Sequence, residues 1–278
     1  MSKEKLSRMI SPIPSHYDSQ ADIAHGYGKD DTPFFILGCV RSGTTLLRDI
    51  IRIHPRLESP EETHFFRWAD PYASPRYEKQ YIGTKLFEGH RELDKISLKD
   101  FSRIMLLARD RKEISEYYAK HYLKANDNIK GRWFDKTPQN IYGILLLNYM
   151  FPKAKFIHIY RNPYNVVSSL KEGKVMAKHE VKGGINYWLE SMIMFNEFKK
   201  MPGVEGRIFE LKYEDMVASP KKDITDVLDF LGEDPSCFDF SQLKTHKEKD
   251  KYKSILTETE VGYIKKLCEP YFSLYGYK

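Results

Sequence analysis

Short uninterrupted apolar runs alternate along this chain with longer stretches of helical periodicity. Phe34-Phe35-Ile36-Leu37, bounded by Pro33 and Gly38, reads as a strand buried on both faces. Beyond Gly43 the pattern turns helical, with Leu46, Leu47, Ile50, Ile51 and Ile53 apolar up to His54-Pro55. Residues from about 61 to 130 read as mostly helical and polar, with Phe101, Ile104, Met105 and Ala108 at helical spacing. Trp133-Phe134 opens another strand, followed by Thr137-Pro138, a cap residue with proline at the first helical position. The next strand, Lys155 to Tyr160, runs into Arg161-Asn162-Pro163, a helix start of the same kind. Ile185, Trp188, Leu189, Met192, Phe195 and Phe198 make an apolar helical stripe, and Ile208 to Leu211 a last strand. Ser219-Pro220 starts a helix carrying Ile224, Val227, Leu228 and Leu231, which stops at Gly232. Thr257 and Glu260 form a capping box for the final helix, whose apolar face is Val261, Ile264, Leu267 and Phe272.

Strands alternating with helices predict an α/β fold, a central parallel sheet flanked by helices on both faces. No repeat or linker divides the pattern, so residues 31–278 read as one domain. Residues 1–30 carry no sustained period and read as a flexible arm. With 41% hydrophobic and 30% charged residues in 278, the composition is that of a soluble globular protein. The net charge of +6 favours anionic partners. Lysine and arginine are spread along the chain, which argues against nucleic acid. The densest stretch, Lys244 to Lys253, also holds Glu248 and Asp250 and reads as a solvated loop. Three cysteines without a CxxC pair argue against a disulfide framework and a zinc site, and nine scattered histidines imply no metal. The start is polar and no apolar run reaches signal-peptide length, so the expected location is cytoplasmic, with no integral membrane segment. A Golgi-type anchor removed upstream would give the same reading, and the sequence does not address oligomeric state.

Gly38-Cys39-Val40-Arg41-Ser42-Gly43-Thr44-Thr45 lies between the first strand and the first helix. Its spacing is that of a P-loop, G-x-x-x-x-G-K-[ST], except that Thr44 replaces the lysine. Such a turn lets backbone N–H groups close around anionic oxygens at a helix N-terminus. A nucleoside triphosphatase needs that lysine and a Mg²⁺ ion on its phosphates. Here the cation is Arg41, and a donor ending in a sulfonate carries less charge and needs no metal clamp. Arg41, Ser42, Gly43, Thr44 and Thr45 are therefore candidate donor-binding residues.

Arg41-Ser42-Gly43-Thr44-Thr45-Leu46, then His54-Pro55, then Glu61-Glu62-Thr63 resembles the opening of sulfotransferases that use 3′-phosphoadenosine-5′-phosphosulfate (PAPS), and most of all their tyrosylprotein branch. The resemblance continues through Lys136, Arg161 to Ser169, Tyr213-Glu214 and Phe230-Leu231-Gly232. It implies transfer of a sulfuryl group from PAPS to an acceptor hydroxyl by in-line displacement, releasing adenosine 3′,5′-bisphosphate (PAP). It further implies that Arg161 and Ser169 hold the 3′-phosphate, that Tyr213 contacts the nucleotide, and that Lys251-Tyr252 stands where a Lys-Trp pair closes over it. By the same resemblance Glu62 is the base, and Lys136, helped by Arg41, stabilises the transition state. Nearby Lys136 and Arg41 should also lower the basicity of Glu62.

Glu61 is the competing carboxylate and His64 a second candidate base. The tyrosylprotein branch has arginine at position 64, and Glu62-Thr63-His64-Phe65-Phe66 is instead similar to glycan sulfotransferases. A glycan, a lipid, a small molecule and a peptide tyrosine all stay open as acceptor, with the choosing residues expected between 64 and 130 and around 174–187. Two rival functions remain in view. A P-loop-type nucleotide kinase is opposed by the missing lysine at 44. A non-catalytic nucleotide- or polyanion-binding module is opposed by Glu62 and Lys136 at the family spacing.

Overall fold

The computed structural model describes residues 31–129, 131–174, 181–245, 248–269 and 271–277. The expected arm over 1–30 lies outside them. The strands are β1 (Phe34–Gly38), β2 (Leu57–Glu58), β3 (Arg132–Lys136), β4 (Lys155–Tyr160) and β5 (Ile208–Lys212). The first five helices are α1 (Thr44–Ile51), α2 (Pro75–Lys79), α3 (Lys85–Leu93), α4 (Leu98–Leu107) and α5 (Arg111–Ala125). Then follow α6 (Ile144–Met150), α7 (Pro163–Glu172), α8 (Val181–Lys199), α9 (Tyr213–Ala218) and α10 (Pro220–Leu231). The last are α11 (Tyr252–Ile255), α12 (Glu258–Cys268) and α13 (Tyr271–Leu274).

The strands form one parallel sheet in the order β2-β3-β1-β4-β5, as the alternation of elements predicts. Side chains of β1 alternate between two cores because successive residues of a strand face opposite ways. Phe35 and Leu37 join Trp133 and Phe156 under a layer drawn from α2 to α6 and α8. Phe34 and Ile36 join Phe134, Ile157 and Ile159 under α1, α9 and α10. The Phe34 and Phe134 rings stack with centroids 4.6 Å apart. Each such fully buried side chain contributes about 1.5–3 kcal/mol.

The expected caps form in part. Asn162 accepts from the Tyr164 N–H at 2.9 Å with Pro163 at the start of α7, Gly232 ends α10 at φ 80°, and the Thr257–Glu260 box closes on α12. Thr137-Pro138 differs: it opens a 3₁₀ turn, Pro138–Gly143, before α6, and the Thr137 side chain does not cap it. Its hydroxyl instead accepts from the His64 N–H at 3.4 Å. Ser219 likewise precedes α10 without a side-chain cap bond. The edge strand β2 was not read from sequence, since two residues carry no period.

The other unread feature is Arg132, only 1% exposed. Its Nη1 donates to the Leu231 carbonyl at 2.9 Å and lies 3.0 Å from the equally buried Glu233 carboxylate. The pair ties the end of α10 to β3. Among the described residues no helix is long and apolar enough to cross a membrane.

Candidate active site

In an open parallel sheet, ligands bind beyond the carboxyl ends of the strands, where the strand order reverses. Here that point is β1, from which the chain builds β3 on one side and β4 on the other. The loop leaving β1 turns through Arg41 at φ 68° and Gly43 at φ 92°, and Gly43 is the N-cap of α1. No side chain caps α1, so its first-turn N–H groups have no side-chain acceptor. A Cβ on Gly43 would stand 2.2 Å from the Tyr213 ring, which means that the ring lies flush on the loop. The Ser42 hydroxyl is buried and, among the described residues, makes no hydrogen bond.

On the β4 side, Arg41 Nε donates to the Ser169 hydroxyl at 2.9 Å. Arg161, at the end of β4, donates from Nη1 to the Arg41 carbonyl at 3.2 Å, and its guanidinium carbon sits 4.4 Å from the centre of the Tyr213 ring. Its Nη2 donates to both oxygens of Glu248, at 2.6 and 2.8 Å. Lys244 to Lys253 is therefore not simply a solvated loop: one of its two acids is turned inward onto this arginine.

On the β3 side, Lys136 is 1% exposed, with Nζ 2.5 Å from Glu62 Oε1 and 3.2 Å from the Thr45 hydroxyl. Glu62 keeps 24% of its side chain exposed. Glu61 is engaged elsewhere. Its carboxylate lies 2.7 Å from Arg48 Nη1, and its N–H donates to Asp94 at 2.8 Å. Although burial opposes it, the Arg48 guanidinium holds the Glu61 carboxyl below its ordinary range. His64 Nε2 is 3.7 Å from the other oxygen of Glu62. Burial, then the charges of Arg67, His90 and Lys136, push the His64 imidazole down to about 3, so the ring is neutral.

The irregular segment 62–66 is held peptide by peptide. His90 Nδ1 lies 3.0 Å from the Glu62 carbonyl, and the Tyr81 hydroxyl donates to the His64 carbonyl at 2.8 Å. Tyr77 and Arg111 both donate to the Phe65 carbonyl, and the Phe66 N–H donates to Asn140. The Thr63 hydroxyl bonds to Asp135, whose carboxyl burial pushes up to about 6. These bonds fix His64 at φ 57°, in the left-handed region.

Of the residues singled out from sequence, Arg41 contacts Ser169 and Arg161, Tyr213 lies against Arg161 and Gly43, Ser42 and Thr44 are buried in the same loop and helix start, and Thr45 meets Lys136 and through it Glu62. Among the described residues no hydrogen bond or ion pair joins the Lys251 side chain to them, and it stands exposed ahead of α11. Sequence reasoning missed Arg48, His90, Asp135, Asn140 and Glu248. Arg48 reaches Glu61 across a loop, the site partners of the other four are tens of residues away, and no local spacing marks them.

Residues 33–236 match the model of the sulfotransferase family. An uncharacterized protein of Aquifex aeolicus is 30% identical over 208 residues, covering 71% of this chain and 25% of that protein. Protein-tyrosine sulfotransferase 2 of Gallus gallus is 25% identical over 216 residues, covering 76% of this chain and 53% of that protein. The chain thus spans between a quarter and about half the length of these relatives. The sulfotransferase domain of the Synechococcus PCC 7002 olefin synthase has the same fold, with TM-score 0.61 at 23% identity over 88% of this chain and 98% of that one.

Proposed function

The chain belongs to the sulfotransferase family, and from that premise we propose that it transfers the sulfuryl group of PAPS to an acceptor hydroxyl and releases PAP. The observation that carries the reading is the contact chain from Glu62 through Lys136 to Thr45, which sets a carboxylate and an ammonium beside the phosphate loop. The residues fit the donor. Ser42 offers a buried hydroxyl that has no partner among the described residues, α1 offers N–H groups that no side chain caps among them, and Gly43 leaves the space that a Cβ would fill.

The loop 38–45 would hold the 5′ end of the donor, and Arg161 with Ser169 its 3′-phosphate, where a planar guanidinium suits bidentate bonding. PAPS supplies the sulfuryl group and a phosphate leaving group. Lys136 and Arg41 stabilise the charge that builds on them, and Glu62 takes the acceptor proton. In the structure the Lys136 ammonium lies 2.5 Å from the Glu62 carboxylate. An anion arriving at the loop would compete for the ammonium and leave the carboxylate free to meet the acceptor hydroxyl. Glu62 suits the role better than its neighbours: Glu61 is spent on Arg48, and His64, pushed down to about 3, is a poor proton acceptor.

Calorimetry tests the donor assignment. PAP should bind far more tightly than AMP or ADP, with the same affinity in Mg²⁺ and in EDTA. Equal affinity for the plain nucleotides, or ATP binding that requires Mg²⁺, would contradict it.

A further inference from the structure

Arg161 already holds an anion. Its Nη2 is shared by both oxygens of Glu248, and the two side chains are only 18% and 14% exposed. The segment around Glu248 is otherwise cationic, with Lys249, Lys251 and Lys253 exposed. The other acid, Asp250, pairs with Lys253 at 2.8 Å. A carboxylate drawn inward from a basic segment onto the nucleotide-facing arginine sits where a phosphate oxygen would bond.

The match is incomplete. Glu248 takes only Nη2, while Arg161 Nε is buried and, among the described residues, has no partner. A phosphate brings three acceptor oxygens and more charge, and guanidinium–phosphate bonding is commonly bidentate. It can therefore displace the carboxylate by using donors that Glu248 leaves idle.

We propose that Glu248 is an internal competitor for the donor's 3′-phosphate: it occupies Arg161 until the phosphate displaces it, and so sets the affinity for PAPS and the ease of PAP release. The proposal rests on the reading of Arg161 as the 3′-phosphate residue. Its magnitude follows from the fraction of molecules that are competent to bind. If the pair is closed about nine tenths of the time, apparent affinity is lowered about tenfold. The competition acts only on ligands that need Arg161, so a nucleotide without a 3′-phosphate is indifferent to it. A plain structural staple behaves differently: removing it loosens the segment and leaves PAP affinity unchanged or weaker.

The test is calorimetric titration of PAP and of AMP into wild type, Glu248→Gln, Glu248→Ala and Arg161→Ala, with thermal melts as the folding control. Both Glu248 variants should bind PAP about tenfold more tightly and AMP as before, and the two substitutions guard against one of them misfolding. PAP affinity that is unchanged or weaker in folded Glu248 variants, while Arg161→Ala still loses PAP, overturns the competitor and leaves the donor reading intact. Equal tightening for PAP and AMP also overturns it, since the effect would not pass through the 3′-phosphate. If Arg161→Ala binds PAP like wild type, the reading of Arg161 itself fails, and the proposal with it.

Discussion

Replacing Glu62 by glutamine removes one charge and almost no volume, and the geometry around it gives two separate consequences. The first is chemical: the group assigned to take the acceptor proton is lost, and turnover should fall by roughly 10²–10⁴. The second is structural. Lys136 is 1% exposed and its ammonium lies 2.5 Å from the carboxylate that is lost. A charge-assisted bond of this kind contributes about 1.5–3 kcal/mol. Because Glu62 keeps 24% of its side chain in contact with solvent, the fully buried figure does not apply. The melting temperature should fall by about 2–4 °C per kcal/mol for a chain of this size.

Turnover is read well below the melting temperature of the variant, with PAP affinity measured in parallel. Affinity should change little, because on the proposed reading Glu62 acts on the acceptor and makes no contact with the nucleotide. Glu61→Gln is the control: its carboxylate is on Arg48, so the substitution should cost stability and leave turnover within a few-fold of wild type. If Glu61→Gln abolishes transfer while Glu62→Gln stays active, the base is Glu61 and the assignment moves by one residue. Full activity in both variants would refute the carboxylate base altogether and direct attention to His64.

Gly43→Ala places a methyl 2.2 Å from the Tyr213 ring at a backbone φ of 92°, so the ring and the Arg161 guanidinium stacked on it must shift; PAP affinity should fall at least tenfold by calorimetry while the sheet persists by circular dichroism. Glu233→Ala leaves Arg132 buried without its counter-charge, and denaturant titration should show a loss of about 3–5 kcal/mol with no specific effect on PAP binding by the molecules that remain folded.

Much of the fold was legible because β1 and β4 are short, mainly apolar runs with a turn or cap beside them, and β3 carries the apolar pair Trp133-Phe134. Phe34 to Leu37 and Lys155 to Tyr160 became β1 and β4 nearly to the residue. The stripe from Ile185 to Phe198 became the buried face of α8 for the same reason. What failed was local chemistry with a tertiary competitor. Thr137 has the composition of a cap, yet its hydroxyl bonds to the His64 peptide.

The candidate site was legible where it is local. The glycines, Arg41 and the two threonines stand in one turn, whereas Ser169 was expected from the family resemblance and not from spacing, and its hydroxyl accepts from Arg41 Nε. It was illegible where long-range bonds build it. Nothing in the sequence around Asp135, Asn140, Tyr81 or Arg111 announces that they hold the 62–66 segment. Nor does a run of lysines announce that Glu248 turns inward onto Arg161.

The most direct measurement of the central claim is to incubate the protein with PAPS and a panel of hydroxyl acceptors, glycan, phenolic, lipid and tyrosyl peptide, and to quantify PAP and sulfated acceptor together. The expected result is equal amounts of PAP and an O-sulfated product with at least one acceptor class, in EDTA as in Mg²⁺, and lost in Glu62→Gln. Phosphorylated acceptor formed from ATP and Mg²⁺, with no sulfated product from PAPS, would contradict the account.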